Sequence, residues 1–415
     1  EGGQIIPIER GPDAGKLLVV HGDNSGRTSI YDPFADKMTV GQTLAANVCE
    51  GGHSIPVTAG PHAGKTLVVH GCSDAYTSLF DPATTSFTQG PETNVGLPSS
   101  SHAFQITWGP HAGKTLLVST GIIGRTALFD PATSRFSLGP LLSARAGQGA
   151  FSFAIATGMH AGKSLVIHAG VSNTTSLYDP GSNAFTPGPN LPCNAGSGAN
   201  GFLVKSGIAA GQTVVVCAGA TNAWALFDPN SHTFSAVQTT LAANPTVGSH
   251  NFTLTSGPHA GKTVLFAGGN AWYFYDPALN AFSLGTPDLS TLAGRPGWGA
   301  HTYLIDSGPN AGKFVTVVAG NSTNTLHFDP VTATFVDGGI MYSLNNAFAN
   351  DGSAVITITS GANSGKKLVT MGNGYGEGTL FDPSVSSGYF SLGPIPLDRT
   401  GGGSIAIPIL YGSNA

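Results

Sequence analysis

Gly60-Pro61-His62-Ala63-Gly64-Lys65, followed downstream by Phe80-Asp81-Pro82, is the stretch whose reading decides the fold. The six-residue motif recurs as Gly109–Lys114 and Gly257–Lys262, with looser copies starting at Gly11, Gly158, Gly207, Gly308 and Gly361. Successive copies lie 49, 49, 49, 49, 50, 51 and 53 residues apart. An aromatic residue before Asp-Pro keeps the same period, at Tyr31, Phe80, Phe129, Tyr178, Phe227, Tyr275, Phe328 and Phe381. A second large apolar residue follows each one: Met38, Phe87, Phe136, Phe185, Phe234, Phe282, Phe335 and Phe390. Self-similarity at a period of 20 to 50 residues is the signature of a repeat architecture.

Each unit reads as four strands. Strand A alternates, as in His102 to Trp108, and the Gly-Pro-x-Ala-Gly-Lys tract supplies the dihedrals of a tight connection. Strand B is a continuous apolar run such as Thr115–Val118, as expected for a strand buried on both faces. Strand C carries the aromatic and ends at Asp-Pro, because proline cannot donate to a ladder. Strand D carries the second aromatic, and a Gly/Pro/Ser-rich crossing leads to the next A. Four antiparallel strands per repeat make the blade of a β-propeller. The predicted fold class is therefore all-β: residues 1–415 as a single eight-bladed propeller of four-stranded antiparallel blades.

Composition agrees. Charged residues are only 9% of the chain, against roughly 25% in ordinary domains. The 59 glycines and 27 prolines exclude helical bundles, while 40% hydrophobic residues and a net charge of -5 exclude disorder. No apolar run is long enough to span a membrane as a helix. A pI near 6.2 gives no reason to propose a nucleic-acid partner. A-like segments occur nine times, the extra ones being Gln4–Glu9 and Ser404–Leu410 at the two ends. Gln4–Glu9 is expected to pair locally with the strand after its own turn.

Thr77-Ser-Leu-Phe-Asp-Pro82, the aromatic after it and a Gly139-Pro-Leu141-type crossing resemble kelch repeats of the type found in the propeller of galactose oxidase. The resemblance covers essentially the whole chain and implies the fold, since kelch propellers serve many unrelated roles. It would also imply a copper site with a Cys–Tyr crosslink and a Tyr-His pair. The sequence has no Tyr-His dipeptide, and its cysteines are better read as disulfides. Copper-radical oxidation is not expected. No cofactor is predicted, and the one candidate is a metal ion in the central channel.

Cys49 and Cys72 flank strands A and B of blade 2, and Cys193 and Cys217 stand at the corresponding places in blade 5. The start of A and the end of B adjoin in a hairpin, which predicts bridges Cys49–Cys72 and Cys193–Cys217. Two bridges imply an oxidising compartment, and the start at Glu1 fits a removed signal peptide or an expression boundary equally. Secretion or display at the cell surface is the expectation. Sequons at Asn173, Asn251 and Asn321 matter only for a eukaryotic source.

Candidate sites fall in three groups. His53, His102, His250 and His301 begin strand A in blades 2, 3, 6 and 7, on the channel wall, where imidazole could ligate a metal or an anion. The competing reading is packing against the crossings. Seven of the ten lysines close the A–B turn, making a rim that could attract an anionic polymer. The Asp of Asp-Pro reads as a turn cap. Arg145, Arg295, Trp298, Tyr375 and Arg399 depart from the repeat in the crossings and loops of the opposite face, where loops carry specificity. The leading expectation is a binding module that holds carbohydrate or a protein surface on its loop face. The alternatives are a carbohydrate-active lyase or hydrolase using the channel histidines with Arg295, and a structural assembly unit.

Overall fold

The computed structural model describes the chain apart from residues 1–2, 23, 50–51, 72, 99–100, 122–123, 220, 238–240, 293–295, 298, 321, 342–352, 371–377, 386–388 and 393–415. It forms eight four-stranded antiparallel sheets, each running A-B-C-D in chain order. Blade 3 is representative: A is His102–Gln105, B Thr115–Val118, C Thr126–Asp130 and D Arg135–Leu138. Strand A is shorter than the alternation suggested. It ends at Gln105, and Ile106 begins the turn by exchanging backbone hydrogen bonds with Lys114 and Gly113. Gln4–Pro7 pairs with Leu17–Val20 as the A strand of blade 1, as expected. The other terminal candidate, Ser404–Leu410, lies outside the described residues.

The two aromatic markers of each repeat are cross-strand partners. Tyr31 stands opposite Met38, Phe129 opposite Phe136 and Phe381 opposite Phe390. In the seven blades where both are aromatic, the centroids are 4.8–5.3 Å apart. The buried face of one blade then meets the next. At five successive seams the third residue of strand A packs edge-on against the C-strand aromatic of the following blade: Phe104 on Tyr178, Phe153 on Phe227, Phe202 on Tyr275, Phe252 on Phe328 and Tyr303 on Phe381. Each such ring contributes about 1.5–3 kcal/mol of apolar burial and ~0.5–1.5 kcal/mol from edge-to-face geometry. The remaining three seams use Ile6, Ile55 and Ile356 instead.

A second joint explains the glycine that opens each turn. Gly60, Gly109, Gly158 and Gly361 have positive φ, and a Cβ on any of them would collide with backbone of the Asp-Pro turn in the next blade. Gly361 meets Pro33, so blade 8 closes directly onto blade 1. Asn363 Nδ2 donates to the Tyr31 hydroxyl (3.0 Å) and Ser360 Oγ to the Gly15 carbonyl (3.1 Å) across that junction. Strand A of blade 1 lies against strand A of blade 8, which places the A strands innermost. No helix among the described residues is long and apolar enough to cross a membrane.

Candidate functional site

The lysine rim is neutralised pair by pair. Lys16, Lys65, Lys114, Lys163, Lys262, Lys313 and Lys366 each place Nζ 2.8–3.3 Å from Oδ2 of the Asp-Pro aspartate in their own blade. The aspartate's other oxygen caps its turn. In all eight blades Oδ1 accepts the backbone N–H two residues on, at 2.8–2.9 Å. The turn-cap reading therefore holds. The lysines are not a set of free cations, which weakens the case for an anionic polymer there. At Asp81, Asp179 and Asp276 the lysine hydrogen bond outweighs the opposing effect of burial, and with the backbone N–H it holds the carboxyl below its usual range. Blade 5 breaks the pattern: Gln212 replaces the lysine, and Ser231 Oγ donates to Asp228 Oδ2 (2.9 Å).

The four channel histidines do begin strand A of blades 2, 3, 6 and 7. His250 has both ring nitrogens engaged: Nδ1–H donates to the Gly248 carbonyl (2.8 Å), and Nε2 lies 2.8 Å from Thr302 Oγ1 of blade 7. Its ring stacks on Phe266 at 4.8 Å, and burial pushes its pKa down to about 4. His301 Nδ1 bonds Gly299 in the same way (2.9 Å), and burial lowers its pKa too. Asn200 takes the equivalent place in blade 5, donating Nδ2 to the Gly198 carbonyl (3.0 Å). A residue type that varies while the backbone contact persists marks a position that ties down the crossing. Among the described residues, no three His, Cys, Asp or Glu side chains group as metal donors.

Cys193 and Cys217 are bonded, with Cα atoms 6.3 Å apart. Cys49 is also disulfide-bonded, and its expected partner, Cys72, lies outside the described residues. Asn251 uses its amide on Asn200 Oδ1 (3.0 Å), so that sequon is occupied by a structural bond. Arg145 is exposed in its crossing, whereas Arg295, Trp298, Tyr375 and Arg399 lie outside the described residues.

Trp108 is the feature that the repeat reading passed over. It is 41% exposed on the turn rim, whereas Trp224 and Trp272 are fully buried. Its Nε1–H donates to the Gly162 carbonyl of blade 4 at 2.6 Å. A Cβ on Gly181 would touch the indole's benzene edge at 3.2 Å, so glycines 162 and 181 form the bed on which it lies. The signal was present in the sequence, since the same place before the turn glycine holds Ser in four other repeats (Ser206, Ser256, Ser307 and Ser360).

No protein-family model matches the chain, and no curated protein is similar in sequence. A solved structure of a fungal alcohol oxidase of the AA5 family, in complex with copper, is similar at 15% identity and a TM-score of 0.46. The match covers 94% of this chain and 89% of that one. It carries no argument about activity.

Proposed function

We propose that this protein is a binding propeller, secreted or displayed at a cell surface, that holds carbohydrate on the rim carrying the A–B turns. The observation that supports it is Trp108, a large aromatic exposed to solvent yet fixed by an indole hydrogen bond and a bed of two glycines. An aromatic held in this way offers a flat apolar face to the C–H side of a pyranose, and little conformational entropy remains to be lost on binding. The frame beneath it repeats in every blade, which suits a rigid scaffold presenting a local difference. The seven turn lysines of the rim are paired with aspartates, which favours stacking and hydrogen bonding over charge attraction.

A glycan array with the wild-type chain and Trp108→Ala tests the reading. Wild type is expected to retain a set of glycans that the variant loses, with the ligand shielding the exposed indole from iodide quenching. Equal glycan retention by both proteins would sink it, as would capture of protein partners only.

A further inference from the structure

The seam between blades 1 and 2 holds a cavity of about 540 Å³ on the same rim. This lies within the range of roughly 300–1,000 Å³ usual for small-molecule sites. Two features of the sequence mark it: an isoleucine where other seams carry an aromatic, shared with Ile55 beside Thr115 at the next seam, and Arg10, where blade 2 has Ala59. Ile6 is the third residue of strand A, where blades 3 to 6 carry Phe104, Phe153, Phe202 and Phe252 and blade 7 carries Tyr303. Ile6 and Thr66 both line the cavity. At the seam of blades 7 and 8 the same two places are Tyr303 and Lys367. There Lys367 Nζ reaches Asp306 Oδ2 (3.1 Å) and Thr357 Oγ1 (2.8 Å) and lies 5.7 Å from the Tyr303 ring centre. One seam is plugged and the other is left open.

The lining is chemically mixed. Ile6, Val57 and Phe80 give an apolar floor, and Ser54, Thr58 and Thr66 contribute hydroxyl-bearing side chains. Arg10 lies at the edge, donating one guanidinium N–H to the Ala63 carbonyl (3.4 Å). Among the described residues, no carboxylate lies within ion-pair distance of it. The charged residues of the lining are Glu9, Arg10 and Lys65, and Lys65 is paired at 2.9 Å with Asp81 just outside it, which leaves one carboxylate and one guanidinium in balance. An apolar floor, hydroxyl groups and a guanidinium fork with no net charge suit a neutral polyhydroxylated ring better than an ion.

We infer that the cavity between blades 1 and 2 is a binding site for a neutral pyranose unit of a saccharide, with Ile6 in its floor where five other blades carry an aromatic, and Arg10 at its edge. The inference rests on the saccharide reading above but concerns a different site. Isothermal titration of the full chain with cellotriose, mannotriose and galactotriose, and with trigalacturonate as the charged counterpart, tests it. At least one neutral trisaccharide is expected to bind, and Ile6→Phe is expected to weaken it about tenfold or more. Phe is native to this position in four blades, so the variant should keep its melting temperature. Arg10→Ser, the residue found at that place in four other blades, is a second probe and should also weaken binding. Undiminished binding by both variants overturns the inference, and so does binding of trigalacturonate alone. Loss in Trp108→Ala with Ile6→Phe unaffected leaves only the rim reading standing. Loss in Ile6→Phe with Trp108→Ala unaffected leaves only this one, and silence of the wild type to all four sugars overturns both.

Discussion

Gly158 of blade 4 and Pro229 of blade 5 meet so closely that a Cβ on the glycine would collide with the proline carbonyl. Gly158 also has φ of 79°, in the region that side chains disfavour. Two separate demands fall on one residue, and the same pair recurs around the disc, from Gly207 on Pro277 to Gly361 on Pro33.

These demands can be separated by substitution. Gly211 closes the turn of blade 5 at φ 86°, with nothing within 4 Å of its absent Cβ. Gly211→Ala should cost only the left-handed backbone strain, about 1–2 kcal/mol. Gly158→Ala carries the same strain plus an overpacked seam of ~1–3 kcal/mol. Thermal denaturation should rank Gly158→Ala clearly below Gly211→Ala. Equal losses would mean that the seam relaxes freely.

The lysine–aspartate pairs predict an asymmetry between partners. Lys163 makes one ion pair, to Asp179 Oδ2 at 2.8 Å, and sits in a partly exposed position. Lys163→Met should cost about 0.2–1 kcal/mol, as for surface pairs generally. Asp179 also caps Gly181 N–H through Oδ1 at 2.8 Å. Asp179→Ala should cost about 1–2 kcal/mol, from the lost cap together with the lost pair. In blade 5 the reverse experiment is available. Gln212→Lys restores the missing partner of Asp228 and should add about 0.2–1 kcal/mol. Chemical denaturation of the three variants checks the ranking.

The fold was legible because its markers are periodic, and periodicity reports which positions are equivalent. It does not report which of them touch. In the sequence the turn lysines read as a rim of charge and the Asp-Pro aspartates as turn caps, although the two are ion-paired in seven of the eight blades. The turn glycine and the Asp-Pro turn were likewise read as independent, yet they meet across the seam. Residues that depart from the repeat were legible only where they looked chemical. Arg145 stands out as a charge in a crossing, whereas Trp108 fits the alternation of strand A and Ile6 lies unremarked within Gln4–Glu9. Setting the third position of strand A side by side in the eight repeats would have exposed the isoleucines, because Phe104 and its counterparts fill a space that Ile6 leaves open.

Buried histidines set the response to acid. Burial pushes His70, His168 and His250 down to about 4, and His21 and His327 fall as far, with burial the main cause and nearby cations adding to it. An unfolded histidine titrates near 6.5. Between about pH 6.5 and 4 the unfolded chain therefore binds more protons than the folded one, and stability falls as pH is lowered through that window. The aspartates act separately. Their folded pKa values lie below that of a free carboxylate, so their contribution is present above the usual carboxylate range and is lost only as pH falls beneath it. Melting temperature against pH should decline in two stages. His168→Gln, which replaces a ring bonded to Thr174 and Ser176, should flatten the upper stage. A profile level from pH 7 to 4.5 would refute the histidine account.

The channel position offers the sharpest test of structural against chemical roles. His250 donates to Gly248 and meets Thr302 across the seam, while Asn200 makes the equivalent backbone bond in blade 5. If the position exists to tie down the crossing, asparagine should substitute well. His250→Asn keeps a donor for Gly248 and should cost about 1 kcal/mol for the lost contact to Thr302. His250→Ala takes the ring partner from the half-buried Gly248 carbonyl and one of two partners from the Thr302 hydroxyl, which also meets Thr316 Oγ1 at 2.7 Å, and it opens a cavity beside Phe266. It should cost about 2–4 kcal/mol. Saccharide binding should survive in His250→Asn, because neither Trp108 nor the cavity of blades 1 and 2 lies in blade 6. Loss of binding in a stably folded His250→Asn would instead assign the channel histidines a ligand role, and the measurement needs only a melting curve and one titration.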